Sequence, residues 1–176
     1  LLLRLINDIL DLSKIEFDTI KINTDPVFID QLMVEIYRIT SMRMPDGVKL
    51  VVETPRSDLW LNTDKSRLLQ IMNNLLNNAI RSTTEGQISF GYELESGYVK
   101  FYVKDTGVGI PEDKLESVFD RFVKLNTTQN GFGLGLTITK GLVKKMGGEV
   151  WATSQVGEGS AFYFTLPLDV VPQVVF

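Results

Sequence analysis

The sequence contains no cysteine and no histidine. The first absence excludes disulfides and thiolate metal sites, and it fits a reducing compartment. The second removes histidine general-base catalysis, Ser-His-Asp triads and histidine-ligated zinc together. Positive charge is also scarce: 18 Lys and Arg against 22 Asp and Glu leave a net charge of −4. A domain that reads nucleic acid is ordinarily basic, so no nucleic-acid partner is expected. Long uncharged apolar runs are missing too, because Arg4, Asp8 and Asp11 interrupt even the apolar opening segment. A membrane span or signal sequence there is excluded. There is no internal repeat and no low-complexity stretch. What is present is ordinary for a globular chain: 176 residues, 44% hydrophobic and 23% charged, enough for one full domain with its own core. The first residue is Leu1 rather than Met, so a piece cut from something longer is expected.

Residues 1–17 read as a helix, with Leu2, Leu5, Ile9 and Leu12 at three–four spacing and Leu3, Ile6 and Leu10 widening the stripe. So wide a stripe needs a partner. The end of a bundle or coiled-coil element accounts for it better than a core helix of the following domain. Residues 20–23 are expected as a short strand. Asp25-Pro26 is expected to start a helix to about residue 42, with Phe28, Leu32, Ile36 and Ile39 inward. Residues 48–53 and 59–61 read as strands around a Pro55 turn, and Asp64 caps a long helix to about residue 83. Residues 87–94 and 98–104 alternate about Ser96-Gly97 as a hairpin. Pro111 opens a short helix to Phe119, and residues 123–130 form a polar loop. A helix then runs to Met146 with Leu134, Ile138, Leu142 and Met146 on one face, followed by strands near 149–154 and 161–166. Helices alternating with antiparallel pairs predict an α+β two-layer sandwich: a mixed, mostly antiparallel sheet on three helices, with an N-terminal helical stub.

Four stretches can carry chemistry. In Gly131-Phe132-Gly133-Leu134-Gly135-Leu136, three glycines alternate with apolar residues and open a helix. Free N–H groups and the positive dipole end at such a start suit a phosphate, although turns and tight packing use glycine in the same way. In the 64–83 helix, Asn74, Asn78 and Arg81 fall within about 60° of one another, beside the core face of Leu68, Ile71, Leu75 and Ala79. A solvated polar face is the plain alternative. Against it, Asn73, Asn74, Asn77 and Asn78 give up helix propensity where Glu or Lys is usual. An amide oxygen is also a hard neutral ligand suited to a Mg²⁺ that arrives with phosphates. Asp105-Thr106-Gly107-Val108-Gly109-Ile110 follows an apolar strand. A carboxylate there can accept from the exocyclic amine of adenine, or it can simply serve a turn, and both readings stand. Phe119-Asp120-Arg121-Phe122 reads as core, and the following Lys124 can reach a terminal phosphate or stay solvated.

In chain order, Asn74 to Arg81, Asp105 to Ile110, Phe119 to Phe122 and Gly131 to Leu136 resemble the asparagine box, first glycine box, phenylalanine box and second glycine box of the catalytic, ATP-binding domain of two-component sensor histidine kinases. The likeness runs from residue 1 to about 167. It implies a Bergerat-type fold over 18–168, a tail at 169–176, and in 1–17 the end of the dimerisation and phosphoacceptor helix, which explains the unpartnered stripe. By that resemblance Asn78 coordinates Mg²⁺, Asn74 supports metal and phosphates, Asp105 binds the adenine amine, and Gly107 and Gly109 let the base approach beside Ile110. Gly131, Gly133 and Gly135, with Phe132, Leu134 and Leu136 between and after them, cradle phosphates beneath a lid at 123–130. Lys124 stands where that family often has a basic phosphate ligand. Three positions depart from the family: Arg81 stands for a usual lysine, Phe132 for a small hydroxyl residue, and Met146 for a histidine before Gly147-Gly148.

The resemblance further implies ATP as donor, ADP as product, a histidine phosphoacceptor domain of the same protein and a response-regulator receiver domain as partners. It implies a cytoplasmic location, with or without anchoring of the parent protein in the inner membrane, and no membrane contact by this stretch. Gyrase, Hsp90 and mismatch-repair ATPases share the superfamily but carry a water-activating glutamate where this chain has Asn74. A degenerate nucleotide-sensing or docking module is the other alternative, and the presence of Asp105 and Asn78 argues against it.

Overall fold

Alternation along Tyr98–Asp105 sends Val99, Phe101, Val103 and Asp105 to one side, and all four are buried. This strand lies at the centre of the sheet that organises the molecule. The computed structural model describes residues 2–55, 57–123 and 133–169. In chain order these form α1 (Leu2–Glu16), β1 (Asp25–Phe28), α2 (Ile29–Ser41), β2 (Val48–Glu53), β3 (Trp60–Thr63), α3 (Lys65–Ser82), β4 (Gly86–Glu95) and β5 (Tyr98–Asp105). Then follow α4 (Glu112–Leu115), α5 (Gly135–Lys145), β6 (Val150–Gln155) and β7 (Gly159–Pro167). The main sheet has the order β2-β4-β5-β7-β6, parallel at β2–β4 and antiparallel elsewhere, and β1 and β3 pair separately. One face of the sheet meets α3 and α5. Phe90, Phe101, Phe164 and their neighbours pack there with Leu68, Ile71 and Leu75 of α3 and Ile138 and Leu142 of α5, all fully buried. The fold is the expected α+β two-layer sandwich.

The hairpin forms as expected, with Glu95 opposite Tyr98 across the Ser96-Gly97 turn. Asp64 caps α3 by accepting from Arg67 N–H. The region before α2 differs from expectation. No strand forms at residues 20–23, and Asp25-Pro26 opens strand β1 rather than a helix. The reason is tertiary. The β1–β3 pairing takes residues 25–28, with Pro26 opposite Asn62, and the helix begins only where the Ile29 N–H finds the Leu59 carbonyl at 2.9 Å. Consequently Phe28 is not a core residue of a helix but stacks on Trp60 with ring centroids 5.3 Å apart. Ile39 points outward at 41% exposure, while Leu32 and Ile36 are buried as expected. The helix after Pro111 is a single turn ending at Leu115, and the segment to Phe119 continues as turns. β2 and β3 flank Pro55 but do not pair with each other; each joins a different sheet.

Helix α1 lies against α5 and α3. Leu5, Leu12 and Ile15 pack on the core, Asp11 meets Arg67 and Gln70, Glu16 pairs with Arg121 and Asp18 with Lys145. Its other face leaves Leu2, Leu3, Ile6, Ile9 and Leu10 exposed. Among the described residues no helix is long and apolar enough to cross a membrane.

Candidate functional site

Three of the four stretches converge on α3. Asp105 closes β5 beside the C-terminal end of this helix. It is 7% exposed, and burial raises its carboxyl above the ordinary aspartate range, while the Gly107 and Ser160 amides and the Ser82 hydroxyl pull the other way. The Gly107 N–H donates to Oδ1 at 2.9 Å. A buried carboxylate that is costly to ionise gains from any further donor, and an N–H from a ligand would offset the cost.

The loop after Asp105 is pinned by the protein itself. Val108 N–H donates to the Ser82 carbonyl at 3.1 Å, Ile110 N–H to Ser154 Oγ at 2.7 Å, and Val108 accepts from Gly157. A Cβ on Gly107 would lie 2.2 Å from the Ser82 carbonyl oxygen; one on Gly109, at φ +73°, would lie 2.2 Å from that of Gln155. Both glycines are therefore required by close packing of the loop on α3 and on the β6–β7 turn, whatever binds beside them.

One turn further back, Asn74 ties α3 to the start of α5. Its Nδ2 donates to the Gly135 carbonyl at 3.1 Å and lies 3.4 Å from Thr139 Oγ1. Asn78 lies one turn on, half-buried, and among the described residues its side-chain amide makes no hydrogen bond. Arg81 is exposed and has partners of its own. The four asparagines thus divide. Asn73 and Asn77 accept from Arg43, just past the end of α2, at 3.5 and 3.0 Å, whereas Asn74 meets α5. Asn73 and Asn77 thus have a structural partner in Arg43 that accounts for them, and Asn74 and Asn78 remain as the candidates for the site.

The phenylalanine stretch also divides. Phe119 is core, edge-on to Phe162 with centroids 6.2 Å apart. Phe122 is 68% exposed at φ +61°, contrary to the expectation of core. Its N–H donates to the Gly133 carbonyl at 3.0 Å, and a Cβ on Gly133, at φ +69°, would meet the Phe122 and Val123 backbone at 2.8 Å. The backbone on either side of the undescribed segment is thereby joined. Lys124, Gly131 and Phe132, with residues 124–130 of the expected lid, lie outside the described residues. Ile110, Leu134 and Leu136 are buried in the core, so their side chains act by packing. Gly135 is the first residue of α5.

Sequence reasoning missed Ser82, Ser160 and Thr139. Ser160 is opposite Asp105 only through β5–β7 register, and nothing local to Ser160 signals it.

Among the described residues no group of three or more His, Cys, Asp or Glu could hold a metal ion. The donors on hand are neutral amides, chiefly Asn78. That set fits a Mg²⁺ delivered with phosphates and water rather than one held in an all-protein cage.

Residues 63–170 match the family described as histidine kinase-, DNA gyrase B-, and HSP90-like ATPase. Among curated relatives, the sensor histidine kinase WalK of Bacillus subtilis is 34% identical over 173 residues, covering 94% of this chain and 28% of its own length. The autoinducer 2 sensor kinase/phosphatase LuxQ of Vibrio vulnificus is 39% identical over 181 residues, covering 96% of this chain and 21% of its own. The chain thus spans under a third of the length of these relatives. Among solved structures, full-length ShkA in complex with AMPPNP superposes with a TM-score of 0.86 at 30% identity, over 97% of this chain and 36% of that one. The catalytic domain of histidine kinase ThkA, in a nucleotide-free form, gives 0.74 at 28% identity, over 83% of this chain and 96% of its own.

Proposed function

The chain belongs to the histidine kinase-, DNA gyrase B- and HSP90-like ATPase family, and from that premise we propose that it is the ATP-binding catalytic domain of a sensor histidine kinase. It binds ATP with Mg²⁺ and presents the γ-phosphate to a histidine on a phosphoacceptor domain of the same protein, for onward transfer to a response-regulator receiver domain. Residues 18–168 are the catalytic domain, 1–17 the end of the phosphoacceptor helix and 169–176 a tail. The observation that carries the reading is Asp105: a buried carboxyl at the end of the central strand, with protein donors around it and a raised proton affinity.

The described geometry, together with the family resemblance, supports the following division of labour. Asp105 accepts from the adenine amine and rejects a carbonyl at that position. Asn78, with Asn74 behind it, supplies oxygen to the metal; Arg81, Lys124 and the glycine stretch at Gly131, Gly133 and Gly135 neutralise phosphate charge. When bound, Mg²⁺ supplies charge neutralisation at the phosphates. Transfer breaks the bond from the γ-phosphorus to the bridging oxygen and forms a phosphorus–nitrogen bond on the acceptor imidazole, with ADP leaving. Such chemistry needs positioning and charge more than an acid or base. The water-activating reading of the gyrase and Hsp90 type is disfavoured because Asn74 cannot take a proton and its amide already donates to Gly135.

Calorimetry with ATP and Mg²⁺ tests the proposal. Binding is expected, and Asp105→Asn is expected to weaken it about 10- to 100-fold, the worth of a hydrogen bond to a charged group. Absence of binding by the unmutated chain would leave a docking module instead.

A further inference from the structure

The Asn74 amide is engaged by the protein itself. Gly135 O can only accept, so the 3.1 Å bond from Nδ2 fixes which end of the amide faces α5 and leaves Oδ1 as the end that α5 does not hold. Thr139 Oγ1, 3.4 Å from the same nitrogen, is the second point of this grip. Thr139 is fully buried on a helix whose other inward residues, Leu136, Ile138, Leu142 and Val143, are aliphatic. A hydroxyl among aliphatics is the informative exception. Among the described residues Asn74 is its hydrogen-bond partner, so the two groups depend on each other: without Asn74 the hydroxyl is a buried orphan, and without the hydroxyl the amide keeps one contact instead of two.

We propose that Thr139 is a positioning residue for the phosphate and metal end of the site, acting through Asn74 and never touching the ligand. The proposal rests on the reading above, in which Asn74 supports the Mg²⁺-bound phosphates, and it adds the residue that sets the orientation of that amide. Outer groups that orient a ligating side chain typically matter about 10- to 100-fold in metal affinity or activity, and Thr139, acting on Asn74 behind the ligating Asn78, belongs at the low end of that range. The molecule supplies its own control. Thr137, two residues away on α5, also carries a buried hydroxyl, but among the described residues that hydroxyl has no partner.

ATP affinity is measured by calorimetry on the whole chain, once in excess Mg²⁺ and once in EDTA. The quantity read is the ratio of the two dissociation constants. Thr139→Val, which keeps the shape and removes the hydroxyl, is expected to shrink the advantage conferred by Mg²⁺ about tenfold. Thr139→Ser and Thr137→Val are expected to preserve it. An unchanged ratio in Thr139→Val, whether affinity stays intact or weakens equally with and without Mg²⁺, overturns the proposal, because a merely structural role would leave the ratio unchanged. A measurement without any variant stands beside it: in the nucleotide-free protein the Asn74 side-chain N–H signals should be protected from solvent exchange. Free exchange overturns the proposal even if Thr139→Val fails to fold. If the unmutated chain binds no ATP in either buffer, the nucleotide reading falls and takes this one with it. Binding with an insensitive Thr139→Val removes this one alone.

Discussion

At the scale of single residues, Asp105 and Asp64 respond to pH with opposite sign. Burial raises the Asp105 carboxyl above its ordinary value, so the folded state holds that proton more tightly than the unfolded chain does. Its contribution to stability is greatest below about pH 4 and falls as pH rises through the elevated folded value. At neutral pH the ionised carboxylate is a cost borne for the site. Asp105→Asn is therefore expected to melt no lower than the unmutated protein at pH 7 while losing ATP affinity, and to lose its relative advantage on acidification. Thermal melts across that range, beside the calorimetry, check both halves. Asp64 is the reverse case. Burial opposes its ionisation, but the N–H groups of Asn23 and Arg67 and the hydroxyl and N–H of Ser66 outweigh it and hold the carboxyl below the ordinary range. Its contribution is present above about pH 4 and is lost as pH falls through the lowered folded value. Asp105 was legible as a candidate because it ends an apolar strand before glycine. Its neighbours Ser82 and Ser160 were not, because only strand register and the end of α3 bring them there.

At the scale of elements, α3 does the most. Its N-terminus is held by Asp64, which accepts from Asn23 at 2.9 Å and from Arg67 at 3.1 Å, and its C-terminus receives the Asp105 loop through the Ser82 carbonyl. Asp64→Ala is expected to cost about 1–2 kcal/mol, the upper part of the range for a lost cap because the Asn23 N–H also loses its acceptor. Urea unfolding at neutral pH measures it, and the difference should shrink in acid. The boundaries of α3 were readable because cap, apolar period and length agree within one segment. Those of α2 were not. Asp25-Pro26 carries a helix-start pattern, but strand β3, more than thirty residues later, claims the segment, and Leu59 just before that strand supplies the carbonyl that begins the helix.

At the scale of the whole molecule, α1 stands between two environments. Asp11 and Glu16 of the helix meet Arg67 and Arg121 on the body, and Asp18 just after it meets Lys145, while the opposite face leaves five aliphatic residues exposed. Removing residues 1–17 uncovers the contacts of Leu5, Leu12 and Ile15. These are half-buried aliphatics worth about 1 kcal/mol each, and the ion pairs add little. A loss of about 3 kcal/mol in denaturant unfolding, with ATP binding retained, is expected. The whole-chain composition makes a sharper forecast. With no histidine in 176 residues, the chain incubated with Mg²⁺ and γ-labelled ATP should acquire no acid-labile phosphate. Stable acid-labile labelling would contradict the assignment of the acceptor to another segment.

The sequence by itself determined the fold class, the order of the four stretches and the chemistry their residues can perform. Each of these depends on local period, turn chemistry and side-chain type. Only the tertiary structure decided which asparagines are left for the site, why Gly107 and Gly109 have no alternative, that Phe122 is a surface residue tied to Gly133, and that a buried threonine grips Asn74. Those facts are set by contacts between segments far apart in the chain, where one helix turn or one step of strand register changes the neighbour completely.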